Sequence, residues 1–230
     1  MLVSEFKEYL AYGELSQLNV GNLLIDTEHY PRMISSINLG LLELYKRFPV
    51  NLKEVNVQLQ DWRTEYVIHS SRAISTMPVG GDPRNFYVMD SVYYPFKDDL
   101  IKIEAVFNEN GEELPVNDEN MRYSVFTTGH NVINHPYPDN ENIILVQYRA
   151  SAVKLDSDAD DDSDIDIPPQ FTEALVNYVA YRMFAAINMN SAEAVNYYAK
   201  FEAACALLNN YGLWHKDSRT NMRLENAGWV

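Results

Sequence analysis

Seven aspartates fall within eleven positions at the start of "DSDADDDSDIDIPPQF", residues 156–171, the densest set of metal-capable oxygens in the chain. Asp156, Asp158 and Asp160 stand where an EF-hand calcium loop has its first, third and fifth ligands. The rest of the loop pattern is missing. The sixth position, which needs glycine for its sharp turn, is Asp161, and the twelfth, which needs a bidentate glutamate, is Ile167. The segment before the run also reads as strand rather than helix. The three aspartates are therefore weak cation candidates, and residues 153–169 read as a solvated acidic linker.

The other reactive residue types are no better grouped. His130 and His135 in "GHNVINHPYP" are two imidazoles where zinc needs three or four ligands, and neither a cysteine nor a helical HExxH accompanies them, so they read as loop surface. Asp61-Trp62-Arg63 offers one carboxylate, whereas paired acid chemistry needs two; it reads as a turn with a packed indole. Gly80-Gly81 lacks any phosphate-loop context and is a turn, and Ser70 lies in no GxSxG elbow. The single cysteine, Cys205, excludes an intrachain disulfide framework and a cysteine-rich zinc site, and suggests a protein assembled in reducing cytoplasm. Its place in a helical seam gives it the role of a small buried hydrophobe. No catalytic residue, bound metal or cofactor is predicted, and an enzyme is not the favoured reading.

The elements that carry these residues fall into zones. Val3, Phe6 and Leu10 share one helical face, and Ile34, Ile37, Leu41, Leu44 and Phe48 step by threes and fours through a helix of about four turns. Pro31 suits its first turn, Lys46 and Arg47 oppose the negative pole at its end, and Pro49 stops it. Gly40 within it costs roughly 1 kcal/mol against alanine, which a close helix crossing would explain. Residues 1–51 thus supply the N-terminal helices. From 52 to 152 the period becomes two: "VNVQLQ", "TEYVIHS", "LIKIEAVFN", "RYSVF" and "NIILVQYRA" read as strands of a small antiparallel sheet with one wet face, and Asn110-Gly111 is placed to turn a hairpin.

After the acidic linker, residues 170–210 return to the helical period. "PPQFTEALVNYVAYRMFAAINM" is apolar on most of its circumference and must be buried by more than one neighbour. Ser191 reads as the N-cap of "AEAVNYYAKFEAACALL", in which Ala194, Tyr198, Phe201, Cys205 and Leu208 form an antiparallel seam. Tyr178, Arg182, Tyr198 and Phe201 are the candidates for an intersubunit or interhelix seam, with Arg182 able to make a bidentate contact to a neighbour's carboxylate. Residues 211–230 form an arm too short and aperiodic for a core of its own, yet it keeps Leu213, Trp214, Met222, Leu224, Trp229 and Val230, with Lys216, Arg219 and Arg223 against Asp217 and Glu225. Tryptophan and arginine dominate interfaces, so the arm reads as a docking segment. The fold class predicted is α+β: a helical bundle formed by the N- and C-terminal helices, carrying a β-rich antiparallel insertion.

The formal charge of −15 comes from 18 basic against 33 acidic residues, and the aspartate run supplies −7 of it. A broad cationic face for gripping a duplex is therefore not expected. The N-terminus lacks the apolar h-region of a signal peptide, and no run of 18 apolar residues occurs, so neither export by a signal peptide nor a membrane span is predicted.

The two ends of the chain carry a resemblance. "IDIPPQFTEALVNYVAYRMFAAINMNSAEAVNYYAKFEAACALL" resembles the C-terminal helix pair of the head-to-tail adaptor, or connector, proteins of tailed bacteriophages, and the helix ending "LLELYKRF" looks like that family's early helix. In layout the chain is similar to the tail-tube-A adaptors of short-tailed phages. The resemblance implies a structural virion protein at the neck, assembled in host cytoplasm. It also implies a dodecameric ring beneath the portal that joins capsid to tail, contacts portal and tail or neck proteins, and lets double-stranded DNA pass without sequence-specific binding. The C-terminal tail, with Leu213, Trp214, Arg219, Met222, Arg223, Leu224 and Trp229, would then reach the portal. A reading from another class is a carbohydrate- or cation-binding β-module with helical flanks; it predicts a monomer with a small ligand, where the adaptor predicts a ring.

Overall fold

The computed structural model describes residues 1–14, 30–121, 123–136, 143–157, 159–187 and 192–212, and within them helices and antiparallel strands make an α+β protein. The chain divides into two compact units, Met1–Val50 with Val153–Val230, and Asn51–Ala152.

The first unit is helical. Helix α1 spans Val3–Tyr9 and runs into a π-helical turn at Leu10–Glu14, α2 spans Tyr30–Arg47, α3 Thr172–Ile187 and α4 Ala192–Tyr211. The predicted faces are the buried ones: Val3, Phe6 and Leu10 at the N-terminus, and Ile34, Ile37, Leu41 and Leu44 on α2, with Phe48 closing the stripe. Helix α3 packs against both α2 and α4. That explains its wide apolar circumference, because Ala174, Leu175, Val179, Ala180 and Met183 are all buried. The one polar residue there, Asn177, turns its Nδ2 back to donate to Glu173 O at 2.9 Å. Gly40 marks the predicted close crossing: a Cβ built on it would lie 2.6 Å from Leu175 Cδ1 and 3.0 Å from Tyr178 Cδ1.

The stretch predicted as a solvated linker is instead laid down on the helices. Leu155, Ile165 and Ile167 are buried between the exposed aspartates. Asn38 of α2 donates to Leu155 O and accepts from Leu155 N–H, both at 2.9 Å, and the Tyr45 hydroxyl donates to Asp166 O at 2.7 Å. The first N–H groups of α1, at Val3 and Ser4, donate to Ser163 O and Asp161 O at 3.0 Å. Charge density misleads here because apolar residues at the two ends of an acidic run can still be buried.

The second unit is built on eight strands: β1 Leu52–Gln58, β2 Glu65–Val67, β3 Val88–Met89, β4 Leu100–Phe107, β5 Glu113–Leu114, β6 Phe126–Gly129, β7 Val132–Asn134 and β8 Ile143–Ala150. Five form an antiparallel sheet in the order β3-β1-β8-β4-β5, and three a smaller one, β2-β7-β6. Val55, Val57, Ile103, Val106, Ile144, Val146 and Tyr148 point into one core with Tyr66, Tyr87 and Phe96. Asn110-Gly111 turns the β4–β5 hairpin, with Gly111 at φ +82° and Asn108 Oδ1 accepting from the N–H groups of Asn110 and Glu112. The segment "RYSVF" contributes only its last residue to β6, since Ser124 N–H closes a turn on Met121 O. Strand β7 is too short to show a period. The face predicted to be wet is wet only in part: Arg149 on β8 is buried and paired with Glu104 on β4.

Candidate interaction surfaces

Helices α3 and α4 meet through paired aromatic rings. Tyr178 and Phe201 lie edge to face with centroids 5.1 Å apart, Tyr181 and Tyr198 are 5.1 Å apart, and Phe184 stacks on Tyr197 at 5.1 Å and 17°. Three of the four seam candidates are thus brought together. Phe201 is fully buried inside its own chain, Tyr178 is half-buried and Tyr198 is 40% exposed at the rim. Arg182 lies exposed one turn beyond Tyr178 and forms no ion pair among the described residues. Cys205 is buried beneath the seam, and burial pushes its thiol up to about 11.

A clamp absent from the sequence reading closes this seam from α2. The Arg47 guanidinium makes a two-pronged contact to Glu202 at 2.8 and 2.9 Å, a third bond to Glu43 at 2.8 Å, and lies 4.9 Å over the Phe201 ring. Those hydrogen bonds, Arg47's first, hold the Glu202 carboxyl below the usual glutamate range, and the bond to Glu202 raises the Tyr198 hydroxyl. A basic last turn on α2 was readable; the partner 155 residues away was not.

Beyond the core, α4 turns Val195, Ala199, Ala203, Ala206, Leu207 and Tyr211 to solvent. Val195, Ala199, Ala203, Leu207 and Tyr211 follow at four-residue steps, away from Ala194, Phe201 and Leu208, with Asn196, Lys200 and Asn210 exposed among them. In a chain this acidic, an outward face of alanine, valine and leucine is a surface of low charge.

In the second unit a cleft of about 850 Å³ is lined by Lys53, Glu54, Met89, Tyr93, Tyr94 and Asp99 among others. At its floor Asp99 accepts from Lys53 Nζ at 2.5 Å and from the Tyr148 hydroxyl at 3.2 Å. Tyr93 and Tyr94 stand 89% and 84% exposed on one wall, next to the exposed Val92 in the chain. The sequence signal for this wall is "DSVYYPF", a turn-like stretch with three adjacent large apolar or aromatic residues.

The remaining candidates separate. Asp156 and Asp160 are exposed, Asp158 lies outside the described residues, and Asp161 is paired with Lys7. Among the described residues no three His, Cys, Asp or Glu side chains converge as metal ligands do. His130 is exposed, whereas His135 is buried rather than on the loop surface, its N–H donating to Thr64 O at 2.7 Å as a continuation of the β2–β7 ladder. The Trp62 indole is 64% exposed, not packed, and the Arg63 guanidinium lies between it and Tyr87 at 4.7 and 4.6 Å. Gly80 turns at φ +80° beside Gly81. The arm residues Leu213, Trp214, Arg219, Met222, Arg223, Leu224 and Trp229, and the cap Ser191, lie outside the described residues.

No curated protein matches the chain. The family model of the SU10 adaptor protein matches residues 10–224, which takes in helices α2 to α4 and the whole sheet-rich insertion. That match, along nearly the full length of the chain, places it in the SU10 adaptor protein family, a family of phage structural proteins.

Proposed function

We propose that this protein is the head-to-tail adaptor of a tailed phage, a ring of identical copies beneath the portal that joins the capsid vertex to the tail and lines the path of the DNA. The observation that carries this reading is the family match over residues 10–224. The surfaces support it. Successive copies of a ring meet through two different patches of each subunit, and the rim of the α3/α4 seam, with Tyr198 and Arg182 exposed and Phe201 stiffening it from beneath, is suited to one of them. The excess of 33 acidic over 18 basic residues keeps a lumen from holding the polymer, because sequence-independent DNA affinity comes from cationic side chains.

Portal and tail proteins are the partners this role requires, and the arm from residue 211 onward, with its tryptophans and arginines, is the segment we assign to the portal. Electron cryomicroscopy of the phage's own virions tests the reading: density for this chain in a ring between portal and tail supports it. Absence of the chain from the neck of otherwise complete particles defeats it.

A further inference from the structure

Strand β1 is paired along its whole length with β8, but with β3 only at Asn56 and Val57. On the β3 side Gln58 N–H donates to Tyr87 O, and on the β8 side Asn51 O accepts from Ala150 N–H. Backbone groups of an antiparallel strand alternate sides, so those of Leu52 and Glu54 point away from β8. Among the described residues no backbone or side-chain group meets them there. The cleft described above lies along this open stretch, with Lys53, Glu54 and Val55 on one side and Tyr93 and Tyr94 on the other.

The two edges of the five-stranded sheet are treated differently. Strand β4 is also uncovered from Leu100 to Ala105, ahead of its pairing with β5, but its pairing with β8 is broken by two register shifts and it carries the exposed Lys102, which pairs with Glu104 of its own strand. Bulges and an edge lysine are the usual means of preventing strand addition. Strand β1 keeps an unbroken register from Leu52 to Gln58, and its lysine, Lys53, is tied to Asp99. One edge is blunted and the other is left ready to pair.

The wall of the cleft is braced in advance. Asp90 accepts from Ser75 N–H at 2.8 Å, Ser75 Oγ at 2.6 Å and Phe96 N–H at 2.9 Å, and Asp98, at φ +55°, accepts from Ser70 N–H at 2.6 Å. Between these two fixed points Tyr93 and Tyr94 are held out in water, where ordered aromatic side chains bind a partner with little further loss of entropy.

We propose that the open edge of β1 takes an extended segment of another virion protein as an added strand. Its backbone bonds to Leu52 and Glu54, and every second side chain lies against Tyr93, Tyr94 and Phe96. Donors and acceptors repeating at strand spacing are matched by another backbone rather than by a small molecule, and alternate side chains then supply specificity. The local charge selects the owner of that strand: Glu54, Asp90 and Asp99 outnumber Lys53 and Lys97 in the lining, so a segment carrying lysine or arginine is drawn in, and this chain's own basic segment, the arm after residue 211, is the one assigned to the portal. The proposal rests on the adaptor reading, since it takes its partner from the virion.

Hydrogen exchange at Leu52 and Glu54, measured in the purified chain and in the same chain within intact virions, tests it. The expected result is fast exchange in the purified chain and slowing by about 100-fold or more in the particle, as for amides that gain a ladder partner. Glu54→Pro removes an edge donor that has no partner in the isolated chain and should lower tail attachment at least tenfold. Tyr93→Ala with Tyr94→Ala does so through side chains that no core needs, and serves if the proline variant fails to fold. Unchanged exchange in the particle overturns the proposal, and so does protection that already appears in the concentrated purified chain, which would give the edge to a second copy. Absence of the chain from virions overturns the adaptor reading itself and this proposal with it.

Discussion

Gly40 shows how one residue records a packing decision. Its absent side chain lets α2 approach Leu175 and Tyr178 of α3 more closely than any Cβ allows. Alanine there should gain roughly 1 kcal/mol of helix propensity but must displace Leu175, which is fully buried, and overpacking of this kind costs about 1–3 kcal/mol. Gly40→Ala is therefore expected to lower the urea midpoint with an unchanged m-value, opposite to the usual effect of replacing a helical glycine. Glu202 is a second informative residue. Its carboxyl is held below its ordinary value of 4.5 by Arg47, so its contribution is fully present above that pH and is lost as pH falls through the lower folded value. Glu202→Gln should flatten the acid limb of a melting-temperature profile between pH 7 and pH 3, modestly, because the pair is partly exposed. A glutamine variant as acid-sensitive as the native chain would show that the Arg47 clamp carries no weight.

At the scale of elements, periodicity identified what packs along one face and missed what is held by single bonds. The stripe Ile34, Ile37, Leu41 and Leu44 and the alternation Val55, Val57 are legible because burial repeats with the element's own period. Strands β3, β5 and β7 span two or three residues each, too few for any repeat, and their pairing is set by partners far along the chain. The acidic stretch failed for a different reason: composition averages over side chains, whereas its position is fixed by Asn38, Tyr45 and three buried apolar residues. This assignment predicts a contrast. Asn38→Ala leaves the N–H and C=O of Leu155 without their partner and should cost about 1–3 kcal/mol, read by denaturant titration. Asp156→Asn with Asp160→Asn alters exposed groups and should change stability by less than about 0.5 kcal/mol. Millimolar calcium should leave the melting temperature of the native chain unchanged; a rise would return the run to the metal-binding reading.

For the whole molecule, the question is how a chain of net charge −15 makes firm contacts with its neighbours. Its described surface offers a side of α4 with few charges and the exposed tyrosines of the β1 cleft, and among the described residues no helix is long and apolar enough to cross a membrane. The C-terminal arm is the third resource, and its role is legible only as composition: Trp214 and Trp229 with Arg219 and Arg223 have the residue types of an interface but no period from which to infer a fold. Leu208 is the last buried residue of α4, Tyr211 is already 70% exposed, and Gly212 turns at φ +58°, the left-handed conformation that commonly ends a helix. Removal of residues 212–230 should therefore leave the melting temperature and helix content close to native, since no buried contact among the described residues is lost. The apolar and cationic groups removed with it are those we assign to the portal, so the truncated chain should attach to portal-bearing heads at least tenfold less well in a reconstitution measured by sedimentation. Loss of folding on truncation would mean that the tryptophans complete the subunit's own core. Attachment at the native level would mean that the portal is held by another surface, with the exposed face of α4 the next to be tested.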